Sequence, residues 1–294
     1  MTTRVLPDPR RHAYRPDLAS ETLRDTVEAP RYAPGEIRQV IAPALPLRRE
    51  PRFDSRLDTE GLFGETVTVF DESEGWAWVQ LTRDGYVGYM PSEGLTHAIF
   101  TPTHRIATLR TYVFPQPDSK SPPLALLSLN ARVAVTGADG KFLEIENGGF
   151  VYASHVAPAN EKVEDFVAVA EAFIGTPYLW GGRTSVGLDC SGLVQLAAEA
   201  AGFVVPRDAD MQAAEAGQLL EDPHLSRGDL VFWEGHVGIM TSDADFLHAN
   251  AHHMAVELEP FAEARGRIKA VGFDVLCVRR LARGAKSHRT DKAG

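Results

Sequence analysis

Between about Ile37 and His155 the apolar residues fall in short runs with the two-residue alternation of β-strands. In Gly75-Trp76-Ala77-Trp78-Val79-Gln80-Leu81 this alternation puts Ala77, Val79 and Leu81 on one face. Turn pairs such as Asp84-Gly85 and Asp139-Gly140 punctuate the runs. The stretch also repeats itself. Leu47-Arg48 matches Leu109-Arg110, Val67-Thr68-Val69 matches Val133-Ala134-Val135, and Gly85-Tyr86-Val87-Gly88-Tyr89 matches Gly149-Phe150-Val151-Tyr152. Two small β-barrels in tandem are expected, over residues 36–98 and 99–158. Residues 1–35 are rich in Pro and Arg without a clear period and read as an extended arm.

The period changes after Pro158-Ala159-Asn160. Val163, Phe166, Val167, Ala170 and Ile174 have helical spacing, predicting a helix over 162–174. A second helix is predicted over 189–201, with Leu193, Val194, Ala197 and Ala201 on one stripe and Gly202 as its stop. Strand-like runs follow at 229–233, 236–240, 245–248 and 275–278. Helices followed by strands give an α+β domain over 159–282, with a frayed basic tail at 283–294.

A chain of 294 residues suits two or three compact domains. Its formal charge of −10 opposes a nucleic-acid partner, which needs a basic stripe, and an anionic membrane surface. The start lacks the apolar core of a secretory signal and no run is long enough to span a bilayer, so a cytoplasmic protein is expected. Two cysteines, Cys190 and Cys277, exclude a disulfide framework and a cysteine-based zinc module. Cys277 lies in an apolar strand-like run and reads as a small buried hydrophobe. Cys190 sits in Gly187-Leu188-Asp189-Cys190-Ser191-Gly192, polar and glycine-rich, which is poor core material.

That position suits a nucleophile. Asp189 is placed to cap the second helix, and Cys190 then stands in its first turn, where the helix dipole favours a thiolate and lowers the thiol pKa. Unpaired N–H groups nearby suit an oxyanion. His236 opens the run His236-Val237-Gly238-Ile239-Met240 and is the candidate base. If its strand forms a hairpin with the run ending at His248, His248 orients the His236 ring.

Taken in order, Gly175-Thr176-Pro177-Tyr178-Leu179-Trp180-Gly181-Gly182, Leu188-Asp189-Cys190-Ser191-Gly192-Leu193, Arg227-Gly228-Asp229-Leu230-Val231-Phe232 and Gly235-His236-Val237-Gly238-Ile239 resemble an NlpC/P60 peptidase domain. The first β-type module resembles bacterial SH3 domains, and the second is a looser match without the tryptophans. The resemblance implies a papain-like α+β fold behind two SH3-like barrels, with Cys190 as nucleophile, His236 as base and His248 as orienting residue. It implies that the Tyr178 hydroxyl helps hold the oxyanion; its other reading is a core aromatic beside Trp180. No cofactor or metal is implied.

The tandem modules make the chain similar to γ-D-glutamyl-L-diamino acid endopeptidases of the dipeptidyl-peptidase VI type, which act on murein tripeptide or related stem peptides. In that subgroup the first module closes over the site and holds the substrate's free amino group. The matching residues here are Asp189, Ser191, Tyr86 and Glu50, of which Glu50 is otherwise a surface carboxylate and Tyr86 a barrel aromatic. One position departs. The family commonly carries Pro-Arg-Asp-Ser where this chain has Pro206-Arg207-Asp208-Ala209, so one hydroxyl is missing. Three rivals stand beside this reading: a metal enzyme using His248, His252 and His253, a catalytically inert wall-peptide binder, and an amidase or acyltransferase on the same Cys/His fold. The first lacks HExxH and paired CxxC motifs.

Overall fold

The computed structural model describes residues 6–146, 148–221 and 224–282; the tail at 283–294 lies outside them. The first β-type module is one seven-stranded sheet, in the spatial order 95–96, 36–40, 66–73, 76–81, 87–91, 44–48 and 57–62. The Trp76–Leu81 strand carries the alternation predicted for it: Ala77, Val79 and Leu81 are fully buried in the module's core with Val40, Leu47, Val67 and Met90. The other face is also covered, because Trp78 packs under Ala13 and Leu18 of the N-terminal segment and Trp76 meets the Phe53 ring at 5.0 Å. Glu74 and Gly75 both have positive φ, 51° and 80°, the backbone that matches a tight hairpin to strand twist.

The N-terminal segment is more than an extended arm. Tyr14–Arg15, Leu18–Ser20 and Arg31–Ala33 form a three-stranded sheet of their own. The second β-type module differs from a single small barrel: its strands divide among three small sheets. Short strands and a register shift between Val135 and Gly137 interrupt the ladder. Its Ile106, Val113, Leu127, Val133, Ile145 and Val151 belong to one continuous core with the helices that follow.

The C-terminal part holds a six-stranded antiparallel sheet in the order 218–220, 277–280, 229–233, 236–240, 245–250 and 255–260. Three helices precede the central strands: α1 (Phe166–Glu171), α2 (Cys190–Ala200) and α3 (Ala209–Glu215). A fourth, α4 (Phe261–Ala270), lies between the last two strands in sequence. Strand alternation sends Leu230, Phe232, Val237, Ile239 and Leu247 into the core with α1 and α2, and Val231, Trp233, Met240 and Phe246 toward α4. The predicted first helix is shortened to α1 at both ends: Asp165 caps its start, accepting from Val167 N–H at 2.9 Å, and its last turn tightens, with Phe173 N–H bonding Ala170 O and Ile174 N–H bonding Glu171 O before Gly175 at φ 83°. The last strand runs 277–280 rather than 275–278, registered by Arg280 opposite Asp229 and ion-paired to it at 2.6 Å. Cys277 is half-buried there, its Sγ 3.7 Å from Ala213 O.

Buried charges seat the first module on the C-terminal part. Arg183, fully buried, reaches Glu65 at 2.9 Å and Glu199 at 2.6 Å, and its N–H donates to Glu60 at 2.7 Å. Gln195 of α2 donates to Asp84 at 2.9 Å and accepts from Arg83. Bonds of this kind are direction-dependent, so they fix the module's orientation as well as its attachment.

Candidate active site

The first turn of α2 carries the predicted nucleophile. Asp189 caps the helix, its Oδ1 accepting from Gly192 N–H at 2.7 Å. Its other oxygen accepts from Gly181 N–H at 2.8 Å. Both oxygens also take a two-pronged bond from Arg207, at 2.9 and 2.7 Å. Arg207 further donates to Ser191 Oγ at 2.9 Å and, across the module boundary, to Thr59 Oγ1 at 2.8 Å. Asp189 and Ser191 are therefore buried parts of a frame around Cys190, with Asp189 already supplied with a counter-charge.

The frame does not lower the thiol pKa. N–H groups of Val237 and Ser191 point toward the Cys190 sulfur and favour a thiolate, but burial, followed by the Asp189 charge, outweighs them and pushes the thiol up to about 12. Burial, then the neighbouring His248, presses His236 down to about 3. Burial thus works against the charged form of both groups, opposing the helix-terminus effect expected at Cys190.

The expected hairpin brings the two histidines together. Ile239 pairs with Leu247 and Met240 with Phe246, and His236 Nε2 lies 2.8 Å from His248 Nδ1. Gly238 makes room for this: a Cβ there would fall 2.2 Å from the Phe246 ring and 2.8 Å from His248 Cβ. Behind His248 stands Glu259, unnoticed in the sequence, with Oε1 2.7 Å from His248 Nε2 and both oxygens taken up by Arg267 at 2.5 and 2.8 Å. His248, His253 and Glu259 have ligand atoms within 4.8 Å of one another, but His252 is outside that group. A cation there would compete with the Arg267 guanidinium already on the carboxylate.

Cys190 opens onto a cavity of about 280 Å³. Tyr178, Trp180, Asp189 and Ser191 line it from the catalytic part, with Asp208, Ala209 and Asp210 at the start of α3. Tyr178 is half-buried; burial, then Cys190 and Asp189, push its hydroxyl up to about 12, so it stays a donor, and it makes no hydrogen bond among the described residues. The first module contributes Tyr86, whose hydroxyl donates to Asp208 at 3.0 Å, along with Arg49, Arg56 and Asp58.

Glu50 is not among these residues: it is exposed, its N–H bonded to Ser55 Oγ and its carboxylate to Arg52 at 2.7 Å, so local turn partners hold it outside the cleft. The acid the module brings to the cavity is Asp58, paired to Arg49 at 3.0 Å. The N-terminal segment adds Arg10, which bridges Asp208 at 2.9 Å and Asp210 at 2.8 Å. Its separation of 198 residues from Asp208 leaves no local sequence signal.

Residues 175–267 match the NlpC/P60 family, and residues 47–95 match the bacterial dipeptidyl-peptidase SH3 domain. The probable endopeptidase NlpC of Escherichia coli is 33% identical over 108 residues, which cover 32% of this chain and 70% of that protein. This chain belongs to the NlpC/P60 family and is a cysteine endopeptidase, a hydrolase. Over a longer span, 70% of this chain and 71% of the relative, it is 27% identical to a Bacillus cereus γ-D-glutamyl-L-lysine dipeptidyl-peptidase. The crystal structure of an NlpC/P60 family protein from Bacillus cereus superposes with a TM-score of 0.71 at 21% identity, covering 83% of this chain and 99% of that one, a likeness of fold. Among the described residues no helix is long and apolar enough to cross a membrane.

Proposed function

We propose that the enzyme hydrolyses the bond between γ-D-Glu and a diamino acid in murein peptides whose L-Ala has a free amino group. Cys190 attacks the γ-carbonyl while His236 takes the thiol proton, and Tyr178 donates to the developing oxyanion. His236 returns that proton to the diamino acid's nitrogen as the amide bond breaks and the amine leaves, and water then hydrolyses the thioester to release the acyl group and restore the thiol.

The observation that carries the reading is that the cavity in front of Cys190 is closed by the first module. Tyr86 reaches Asp208 across it and Arg10 ties the N-terminal segment to the same aspartate. A cavity at the small end of ligand sites suits a short peptide end rather than a continuous strand. Asp208 and Asp58 supply carboxylates for an ammonium group, in the place first given to Glu50. Arg56, stacked 4.3 Å over Trp180 and without an ion pair among the described residues, suits the free α-carboxylate that a γ-linked D-Glu retains. It offers a donor where Ala209 has none. Such an enzyme meets peptides already released from the wall, which fits a cytoplasmic recycling role.

Comparing kcat/KM for L-Ala-γ-D-Glu-diamino acid and its N-acetylated form tests the reading. The free peptide is expected to be cut far faster, since a charge-assisted bond to the ammonium is worth roughly 1.5–3 kcal/mol. Equal values would remove Tyr86, Asp58 and Asp208 from substrate recognition.

A further inference from the structure

Cys190, His236 and His248 follow from the family's motif. The carboxylate behind them does not, and its geometry fixes where two protons lie. Glu259 Oε1 is 2.7 Å from His248 Nε2, and His248 Nδ1 is 2.8 Å from His236 Nε2. Both Glu259 oxygens also accept from Arg267, which keeps the carboxylate ionised. An ionised carboxylate only accepts, so His248 Nε2 carries a hydrogen. A neutral imidazole has one N–H, so His248 Nδ1 is bare and accepts, and the hydrogen between the rings belongs to His236 Nε2. His236 Nδ1 is then left with its lone pair.

We infer that Glu259 is a positioning residue: acting through His248, it sets the ring proton of His236 on Nε2 and so keeps Nδ1 free to take the Cys190 proton. The inference rests on His236 being the base. In the step it prepares, the S–H bond breaks and an N–H bond forms at Nδ1. The positive charge that results on His236 is balanced through His248 by the Glu259 carboxylate. Without that carboxylate His248 can place its hydrogen on Nδ1 and donate to His236 Nε2, which moves the His236 hydrogen to Nδ1 and blocks the base. Arg267 holds the carboxylate in place from α4.

Glu259→Gln tests this, because the carboxamide has nearly the same shape but no longer dictates a tautomer. Its kcat is expected to fall roughly 10–100-fold with KM little changed, the usual cost of losing a partner that orients a reactive histidine. Arg267→Gln keeps the carboxylate and should lose much less, so a role limited to anchoring α4 would instead affect both variants alike. Ring-nitrogen NMR of the Cys190→Ala protein, without substrate, gives an independent reading. Nδ1 of both His236 and His248 should be unprotonated in the Glu259 protein, and the His248 hydrogen should shift toward Nδ1 when Gln is present. A protonated His236 Nδ1 in the Glu259 protein, or a Glu259→Gln enzyme with kcat within about twofold of the parent, overturns the inference. Because the NMR reading needs no turnover, it decides the proton order even if the Gln variant folds poorly or the bond proposed for cleavage is wrong.

Discussion

Removing the Arg207 side chain should damage both stability and activity. It is 1% exposed and donates five hydrogen bonds: two to Asp189, and one each to Ser191, Thr59 and the Gly182 carbonyl. Arg207→Met fits much of the volume but leaves the Asp189 carboxylate buried, beside Cys190, without its counter-charge. Breaking one side of such a pair costs roughly 3–5 kcal/mol. Whole domains are stable by about 5–15 kcal/mol, so the loss is a large share of the total. Arg207→Lys keeps a charge but has three donors for five bonds, so at least two are lost at about 1 kcal/mol each. It should therefore fall about 2 kcal/mol below the parent and remain folded. Urea denaturation gives both values, and kcat/KM of the Lys variant reports how far the α2 cap has moved. Replacing Asp189 by Asn in the Arg207→Met background should restore part of the loss, because the stranded charge is gone. An Arg207→Met protein within about 1 kcal/mol of the parent would refute the idea that this buried pair organises the site.

Three further outcomes follow from the same geometry. In a Cys277→Ala background, alkylation of Cys190 by iodoacetamide should be slow at neutral pH and keep rising to about pH 9, because a thiol raised by burial gains thiolate steadily below its pKa; a plateau near neutral pH would show a preformed thiolate. Gly238→Ala should cost about 1–3 kcal/mol in urea denaturation and lower kcat, since its Cβ overlaps Phe246 and the His248 Cβ; an unchanged midpoint and kcat would show that the hairpin has slack. Arg56→Gln should raise KM about tenfold for a peptide with a free α-carboxylate on D-Glu and much less for its α-amide; equal effects on both would remove Arg56 from carboxylate recognition.

What the sequence could reveal depended on distance along the chain. The α2 cap and nucleophile are consecutive residues, and His236 and His248 are joined by a hairpin, so local pattern was enough to place them. Alternation likewise exposed the Ala77-Val79-Leu81 face. Glu50 was misplaced because its turn partners, Arg52 and Ser55, decide its direction rather than its nearness to the cleft in sequence. Asp58, Arg10 and Arg207 reach the site through packing between distant segments, and a surface-type residue carries no mark of such a destination. Glu259 lies on a strand, 255–260, whose Val256-Glu257-Leu258-Glu259 alternation does not show that one of its carboxylates meets His248, and its partner Arg267 belongs to α4, which was not anticipated.

Mass spectrometry of the products formed from L-Ala-γ-D-Glu-diamino acid by the enzyme and by its Cys190→Ala variant tests together which bond is cut and which residue cuts it. L-Ala-γ-D-Glu and the free diamino acid are expected from the enzyme, and unchanged tripeptide from the variant. Release of free L-Ala instead, or turnover that survives Cys190→Ala, would contradict that expectation.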